Sequence, residues 1–463
     1  MAKSRAINRR QFQRVLGLGA LSGLAAQTSW SKASKPNLVL IMADDLGYEC
    51  IGANGCAEYN TPHLDRLAET GARFTNCHVN PLCTPTRVAI MTGRYNFRNY
   101  TRFGHLQAGE KTFAHMLKKA GYATCAVGKW QLGNGTAQDQ SPRMAGFDEY
   151  CLWNVTIDEM KAKNERFADA NLIYWDREKA TPAFNQFKGE YGPKICKDYL
   201  VDFMTQSARE EKPFFAYFPM ILTHWPFKPT PNSPAWEKGK RHQEDGHYFK
   251  DMVEYMDTLI GDIVTQLDRL GVRENTLFMF VGDNGTHKSI QTTMKDGSLV
   301  TGAKSFLTDE GTHVPFIANM PGAIPKQQII EDLVDPTDFM ATMADCAQVA
   351  LPKPPQNGKL DGVSFWPQLQ GKPGNPRDWI LIEYFEDRKI FKGQEGRFVR
   401  DRRWKLYDSG HSSLGGEAFY KAGQLYDMKN DPAEKNPVGS NAGDRGAQAA
   451  RERLGRVLRK HRL

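Results

Sequence analysis

Apolar runs of strand length recur along this 463-residue chain, and each one ends in polar or charged side chains. Runs that are apolar throughout, without alternation, are typical of strands buried on both faces of a sheet. Segments of helical periodicity lie between these runs. The alternation predicts an α/β fold built on a mostly parallel sheet between helices. The four clearest runs are 38–43, 122–127, 214–219 and 276–281.

Local signals mark the helix boundaries. Thr61 suits the N-cap of a first helix, and Pro62 suits its first position. Glycines follow the helical segments, as is typical of helix C-termini. We therefore predict helices over 63–70, 113–120 and about 250–270, ending at Gly71, Gly121 and Gly271.

Polar side chains follow each of the four strands at the point where the strand ends. Asp44 and Asp45 follow the first run, and Asp283 and Asn284 follow the fourth. The carboxyl ends of parallel strands meet at one edge of a sheet, where open α/β folds build their sites. The second and third runs lead to Gly128-Lys129-Trp130 and Thr223-His224-Trp225. The sequence therefore predicts a site at this edge.

Residues 83–94 read CTPTRVAIMTGR and predict a short helix with Cys83 at its N-terminus. Pro85 suits the first turn, and Thr92-Gly93 suits the end. Unpaired N–H groups at a helix N-terminus favour developing negative charge. Arg87 lies four residues after Cys83 and therefore on the same helix face. The alternative interpretation of the cysteine alone is a buried thiol beneath an ordinary helix start.

This dodecamer resembles the C-x-P-x-R-x-x-x-[LM]-T-G-R signature of type I sulfatases, with Cys83, Pro85, Arg87, Thr92, Gly93 and Arg94 at the fixed positions. The resemblance implies that a formylglycine-generating enzyme oxidises Cys83 to formylglycine, which acts as the nucleophile on a sulfate ester. It also implies an alkaline-phosphatase-like α/β sandwich with a small C-terminal antiparallel sheet lobe. Arg87 would then help to hold the sulfate.

Asp44, Asp45, Asp283 and Asn284 form an all-oxygen set, which suits a hard cation such as Ca²⁺ better than zinc. Taken alone, Asp-Asp before Leu-Gly and Asp-Asn-Gly are also common turn sequences. In the sulfatases that this chain resembles, these positions and the formylglycine, here at Cys83, bind calcium. The resemblance therefore implies a calcium site at the sheet edge.

Lys129 and Lys304 resemble the family's sulfate-binding lysines, and His224 resembles the residue that assists at the leaving oxygen. A solvated lysine or a structural histidine is the alternative in each case. His313 stands where many relatives carry arginine, and no role is assigned to it. Relatives usually read G-K-W-H-L-G, whereas this chain has Gln131 in place of that histidine. Glutamine cannot exchange a proton near neutral pH, so elimination of sulfate is expected to be slower or to use another base.

The amino terminus predicts export. Paired Arg9 and Arg10 precede a weakly apolar core and a stretch rich in Ala and Ser, which is typical of a twin-arginine signal. The apolar core is too short to cross a bilayer stably, so no membrane span is expected. We assign residues 1–33 to this signal, and expect twin-arginine machinery as a partner and a periplasmic or extracellular location. Six of the basic side chains lie in this signal, so the net charge of +8 falls to about +2 without it and predicts no nucleic-acid partner.

Gly/Pro-rich sequence at 352–355 and 371–374 predicts a hinge between two lobes. We assign 34–372 to a catalytic domain and 373–463 to a C-terminal subdomain, whose short strands resemble the antiparallel sheet of sulfatases. The Arg-rich end, 451–462, predicts a solvated helix face. The eight cysteines lack metal-ligand spacing, and a disulfide between Cys50 and Cys56 is left open.

The predicted function is hydrolysis of a sulfate ester, with a sulfated carbohydrate favoured by export and by three tryptophans that offer sugar platforms. Tryptophans are also common packing residues. Two alternatives remain: a phosphate or phosphonate monoester hydrolase that shares the motif and the metal, and a non-catalytic binder of sulfated glycans. The three tryptophans are Trp130, Trp153 and Trp225.

Overall fold

The computed structural model describes residues 35–133, 140–153, 165–355, 358–384, 396–409, 422–439 and 444–461. Over these residues, a ten-stranded mixed sheet is accompanied by a two-stranded ribbon and a separate four-stranded antiparallel sheet. Helices flank the large sheet. The predicted α/β class, with a second and smaller antiparallel sheet, is confirmed. The predicted export signal, 1–33, lies outside the described residues.

The strands, numbered along the chain, are β1 (Asn37–Ala43), β2 (Ala72–Cys77), β3 (Ala123–Lys129), β4 (Glu149–Trp153), β5 (Asn171–Asp176), β6 (Thr181–Gln186), β7 (Phe214–Pro219), β8 (Thr276–Gly282), β9 (Gln291–Thr293), β10 (Leu299–Thr301), β11 (Phe316–Asn319), β12 (Gln328–Val334), β13 (Ile380–Tyr384), β14 (Gly396–Arg400), β15 (Trp404–Tyr407) and β16 (Leu425–Asp427). The helices are Pro62–Glu69, Cys83–Thr92, Asn96–Asn99, Phe113–Lys119, Ser141–Met144, Gly192–Arg209, Pro234–Glu237, Tyr248–Arg269, Asp309–Thr312, Asp338–Ala347, Trp366–Leu369 and Arg445–Lys460.

Five neighbouring parallel strands form the middle of the large sheet, in the order β8, β1, β7, β3, β4. Ala43 of β1 is paired with Gly282 of β8, and Met42 is paired with Pro219 of β7. This register aligns the carboxyl ends of three strands at one edge. Strands β11 and β5 pair antiparallel at either side of the parallel block.

The middle strands are buried along their whole length. Every residue of β1, β3, β7 and β8 is buried, which explains why their sequences are apolar without alternation. Strand β3 runs to Lys129, two residues beyond the predicted end at 127. The lysine is therefore the last residue of its strand, with its side chain fixed by the sheet.

The first helix begins at Pro62, with Thr61 at the predicted N-cap position, but the prediction that the Thr61 side chain caps the helix is wrong. The Thr61 side chain accepts the amide of Gly52 at 2.9 Å and forms no bond to the helix amides. Asp257, from the helix Tyr248–Arg269, accepts the amides of His63 and Leu64 at 3.0 and 2.8 Å. A carboxylate brought by another helix therefore caps this N-terminus, which local sequence does not reveal.

The C-terminal sheet carries the helix Arg445–Lys460 on one side. This helix buries Ala447, Ala450, Leu454 and Leu458 against the lobe and exposes all its arginines except the half-buried Arg451, so the predicted solvated face is one face only. All eight cysteines are free, so Cys50 and Cys56 form no disulfide.

The predicted domain division at 372–373 lies between the helix Trp366–Leu369 and β13 and stays a prediction. Among the described residues, no helix combines the length and the apolar character needed to span a membrane.

Candidate active site

The sheet edge gathers the four predicted oxygen ligands of the metal site. Asp44 and Asp45 follow β1, and Asp283 and Asn284 follow β8. The amide of Asp45 donates to Asp283 Oδ1 at 3.1 Å, which joins these two loops. Asp45 has φ 61°, a left-handed conformation that Asp tolerates better than most residues and that directs its carboxylate into the cluster.

Cys83 is the first residue of the helix Cys83–Thr92, as predicted, and Gly93 ends this helix in the left-handed conformation with φ 64°. The Cys83 thiol is buried and donates to Gln131 Oε1 at 3.0 Å. Burial raises the pKa of the Cys83 thiol. The unmodified side chain is therefore protonated at neutral pH and is a weak nucleophile.

Arg87 is fully buried one turn along the same helix and fixes Asp283. Its Nε and Nη2 donate to Asp283 Oδ2 at 3.2 and 2.8 Å, and Nη1 donates to the carbonyl of Lys129 at 3.2 Å. Burial raises the pKa of Asp283 to about 7, helped by the neighbouring Asp44 carboxylate, while Arg87 opposes the shift. Arg87 therefore holds a carboxylate that burial alone would neutralise.

Each of the other two carboxylates has a lysine. Lys129 Nζ lies 2.7 and 2.9 Å from the two oxygens of Asp44, and Lys304 Nζ lies 2.7 Å from Asp45 Oδ2. Burial opposes ionisation of both aspartates, but Lys129 beside Asp44 and Lys304 beside Asp45 outweigh it and hold both pKa values below the usual range. Both acids are therefore ionised at neutral pH.

The donor set fits a hard cation. Asn284 Nδ2 donates to Asp45 Oδ1 at 2.9 Å, whereas its buried Oδ1 has no hydrogen-bond partner among the described residues. Ligand atoms of Asp44, Cys83 and Asp283 lie within 4.8 Å of one another. A buried amide oxygen without a donor, on a residue that contacts one of three clustered carboxylates, fits a hard cation that takes oxygen ligands.

His224 lies at the rim of the cluster, and the structure adds Arg166, which the sequence did not single out. Lys304 Nζ donates to His224 Nε2 at 2.9 Å, and Arg166 Nη2 lies 3.1 Å from Nδ1. Both Nδ1 and Arg166 also contact the carbonyl of Trp225. Burial, with nearby Lys129, lowers the pKa of His224 well below its usual value, so its imidazole is neutral.

Arg166 comes from an irregular segment without a strand or helix pattern, which is why no motif revealed it. Its side chain is buried, with Cζ 4.7 Å from the centre of the Trp153 ring. Burial lowers its pKa, while Asp44, Asp45 and Cys83 act in the opposite direction. Only the tertiary structure brings this cation to the site.

The tryptophans divide into two kinds. Trp130 and Trp153 are each 1% exposed and pack in the core, so the prediction that they serve as sugar platforms is wrong. Large apolar side chains beside a buried strand end are packing residues. Trp225, by contrast, is 51% exposed next to His224 and remains available to a ligand.

His313, to which the sequence gave no role, belongs to a ring stack away from these contacts. Its ring lies 4.0 Å from Tyr48 and 4.6 Å from His78, measured between centroids. Its Nε2 lies 2.9 Å from the carbonyl of Thr75, and its Nδ1 lies 3.3 Å from Asp309. The described contacts are structural.

Comparison with known proteins identifies the class to which this fold and site belong. A family model described as Sulfatase matches residues 36–349, and a second, described as N-sulphoglucosamine sulphohydrolase, C-terminal, matches residues 302–461. The chain belongs to the sulfatase family, whose members are sulfuric ester hydrolases. The predicted resemblance and enzyme class are confirmed.

Individual relatives cover most of the chain. Arylsulfatase A of Homo sapiens is 29% identical, with 91% of this chain and 87% of the relative aligned. N-acetylgalactosamine-6-sulfatase of Mus musculus is 30% identical, with 77% of this chain and 70% of the relative aligned. The crystal structure of Ps i-CgsB is 26% identical with a TM-score of 0.71 and 92% of both chains covered. The likeness confirms the predicted alkaline-phosphatase-like fold.

Proposed function

We propose that this chain hydrolyses a sulfate ester of a saccharide, using a formylglycine formed from Cys83 and a bound calcium ion. The observation that carries the proposal is the cluster around Cys83. Three buried carboxylates are matched by Arg87, Lys129 and Lys304. A calcium ion carries two positive charges and a sulfate ester carries one negative charge, so the two partly offset each other when both enter this cluster.

Asp44, Asp45, Asp283 and Asn284 would hold the cation, together with the modified side chain at 83. The cation, when bound, polarises a sulfate oxygen and favours the ionised form of a hydroxyl group. A formylglycine at position 83 would supply, in its hydrated form, a nucleophilic hydroxyl group. Arg87 opposes the effect of burial on the pKa of Asp283 and so favours the ionised carboxylate that the ion requires.

The lysines and His224 would act on the sulfate and on the leaving oxygen. Each ammonium has three N–H donors. Lys129 contacts Asp44 and Lys304 contacts Asp45, so the two ammonium groups lie at different carboxylates of the cluster. Donors placed beforehand around developing charge stabilise a transition state without reorganisation. Because His224 is neutral and accepts a hydrogen bond from Lys304 at the rim, the proton for the departing alkoxide would come from the Lys304 ammonium, with His224 holding that ammonium in place.

Two relatives support a saccharide. N-acetylgalactosamine-6-sulfatase carries a sugar in its name. Ps i-CgsB has been solved with k-i-k-neocarrahexaose, and this complex is 25% identical to the chain with a TM-score of 0.71. Exposed Trp225 beside His224 offers an aromatic face next to the leaving-group position.

Release of inorganic sulfate from a panel of defined sulfated saccharides tests this function. We expect sulfate release from at least one saccharide, and turnover of an aryl sulfate well above that of the matching aryl phosphate. Cys83→Ala should lose activity on the saccharide and on the aryl sulfate. Mass spectrometry of the active enzyme should find an aldehyde at position 83. Faster turnover of the aryl phosphate would favour the phosphate or phosphonate monoester hydrolase, and binding without sulfate release would favour a non-catalytic glycan binder.

The export signal and the two-domain division remain our proposals. Residues 1–33, fused to a reporter that must fold before export, should carry it out of the cytoplasm. Replacing Arg9 and Arg10 with lysine should retain it inside.

A further inference from the structure

A cleft of about 840 Å³ lies in the C-terminal lobe, apart from the residues of the candidate active site. One wall is the helix Arg445–Lys460, and the other is made by residues 376–379 and by the turn 401–404 between β14 and β15. We call it the C-terminal cleft. Its volume is in the range of ligand-binding clefts.

Basic side chains dominate the lining. Six cations face two carboxylates, Asp378 and Asp401. Arg456 and Lys460 lie three and seven residues after Arg453, so the three side chains share one face of the helix. The opposite face is packed on the sheet, so this charged face is turned to the cleft. The six cations are Arg377, Arg402, Arg403, Arg453, Arg456 and Lys460.

Five of these cations are available to a ligand. Arg402, Arg403 and Arg453 pair with carboxylates, but their side chains are 53, 49 and 46% exposed. Ion pairs this exposed are weak, so an incoming anion can compete for these arginines. Arg456 and Lys460 are exposed and have no carboxylate partner within the described ranges.

Arg377 is different, because it is nearly buried and holds Asp338 at 2.5 Å. It therefore supports the cleft and is not one of the available cations.

The shape and lining favour a sulfated polymer chain. Guanidinium groups bind tetrahedral oxyanions through paired N–H donors, which a row of arginines can offer to successive sulfate groups. Trp379 lines the same cleft and offers apolar surface to a sugar ring. A membrane surface is bound by protruding basic segments. These cations instead line a concave wall, which favours a polymer chain over a membrane.

We propose that the C-terminal cleft binds a sulfated polysaccharide at a second site. The proposal rests on the proposed function in one respect, since the ligand belongs to the same chemical class as the proposed substrate. Binding here raises the concentration of polymer near the enzyme, so that successive sulfate esters meet the active site without full dissociation.

The test is a binding measurement on the full-length Cys83→Ala protein, so that turnover plays no part. The probes are dextran sulfate, unsulfated dextran, poly-glutamate, and vesicles of phosphatidylglycerol with phosphatidylcholine. We expect dextran sulfate to bind, and the added substitutions Arg456→Ser and Lys460→Ser to weaken it about tenfold or more through loss of charged hydrogen bonds. Binding should also weaken as salt screens the cations.

The matched control replaces Arg445 and Arg459, which lie on the same helix outside the cleft, with serine. The control removes the same charge and should weaken binding far less. Arg402→Glu, on the opposite wall, should repeat the loss, and circular dichroism verifies that each variant folds.

Equal loss in the control, unchanged binding in the cleft variants, or equally tight binding of poly-glutamate or vesicles would overturn the proposal. Absence of sulfate release by the wild type would instead overturn the proposed function alone.

Discussion

Gln131 is the residue whose contact and chemistry most directly affect the proposed reaction. It accepts a hydrogen bond from the Cys83 thiol at 3.0 Å, in a buried position next to the strand end that carries Lys129. Its amide can donate and accept hydrogen bonds but cannot take up a proton near neutral pH. The chain therefore supports attack on sulfur, but lacks the usual base for the later elimination of sulfate.

The substitution Gln131→His should speed the release of sulfate. A well-placed general base contributes on the order of 10²–10⁴-fold to the step that needs it. We expect the wild type to release the alcohol product in a rapid burst and sulfate slowly, and the histidine variant to release sulfate faster. Rapid-quench measurement of both products decides this.

Gln131→Met, which has similar size and no proton to exchange, is the control and should not accelerate sulfate release. A wild type without a burst, together with lower turnover in Gln131→His, would show that glutamine is not a handicap and contacts substrate instead.

Asn284 allows the calcium proposal to be tested without activity. Its buried Oδ1 has no partner among the described residues, so Asn284→Ala removes an oxygen that only the ion would use. Elemental analysis should find about one calcium per chain in the wild type by the oxygen-ligand argument. Asn284→Ala should bind calcium on the order of tenfold or more weakly.

Asn99→Ala is the matched control, because Asn99 is also buried with an unpartnered Oδ1 in the described structure but lies outside the cluster. It should leave calcium content unchanged. Zinc recovered in place of calcium would refute the hard-cation assignment.

At the scale of elements, helix packing supplies a cap that the chain near the helix does not. The helix Pro62–Glu69 presents two amides to Asp257, which projects from the helix Tyr248–Arg269. A buried helix N-terminus must have its free amides satisfied, and a single carboxylate here does so for two of them. The contact therefore joins the two helices as well as capping one.

Replacing Asp257 with alanine should destabilise the fold by about 1–3 kcal/mol, because the buried amide of Leu64 and the part-buried amide of His63 lose their acceptor. Urea unfolding, followed by circular dichroism, measures the change. Asp268→Ala, on the exposed side of the same helix, should change the free energy of unfolding by about 0.5 kcal/mol or less. Equal effects of the two substitutions would refute the capping role.

At the scale of the whole molecule, a buried polar cluster joins the two sheets. Arg400 of β14 pairs with Asp309 at 2.7 Å, and Glu434 accepts the amide of Asp309 at 2.9 Å. Lys405 of β15 donates to Glu434 and to the carbonyl of Leu307 at 2.8 and 2.7 Å. The C-terminal lobe is thus attached to the loop that follows Lys304, so the lobe supports the active-site wall.

Asp309→Asn should weaken this attachment in a pH-dependent way. Burial opposes ionisation, but Arg400, followed by His78 and His313, outweighs it and holds the pKa of Asp309 well below its usual value. Its stabilisation is therefore complete above the unfolded-state pKa of about 3.9 and is lost as the pH falls through the folded-state pKa.

Breaking the pair at pH 7 should cost about 3–5 kcal/mol, because Arg400 is left buried without its carboxylate. The gap between wild type and variant should shrink below about pH 4. Glu69→Gln, which breaks an exposed pair with Arg66, should cost about 0.5 kcal/mol or less at either pH. A gap that stays constant with pH would show that the charge of Asp309 is not the cause.

The sequence by itself determined four central strands of the large sheet, the helix that starts at Cys83 and the set of residues at the sheet edge, because these depend on local periodicity and on a contiguous motif. Lys129, His224 and Lys304 were found in the same way, since each follows a recognisable element or resembles a family position. Tertiary structure alone decided the role of Asp257, the approach of Arg166 to His224, the burial of Trp130 and the basic cleft. These depend on contacts between segments distant in sequence, and neither periodicity nor spacing carries that information.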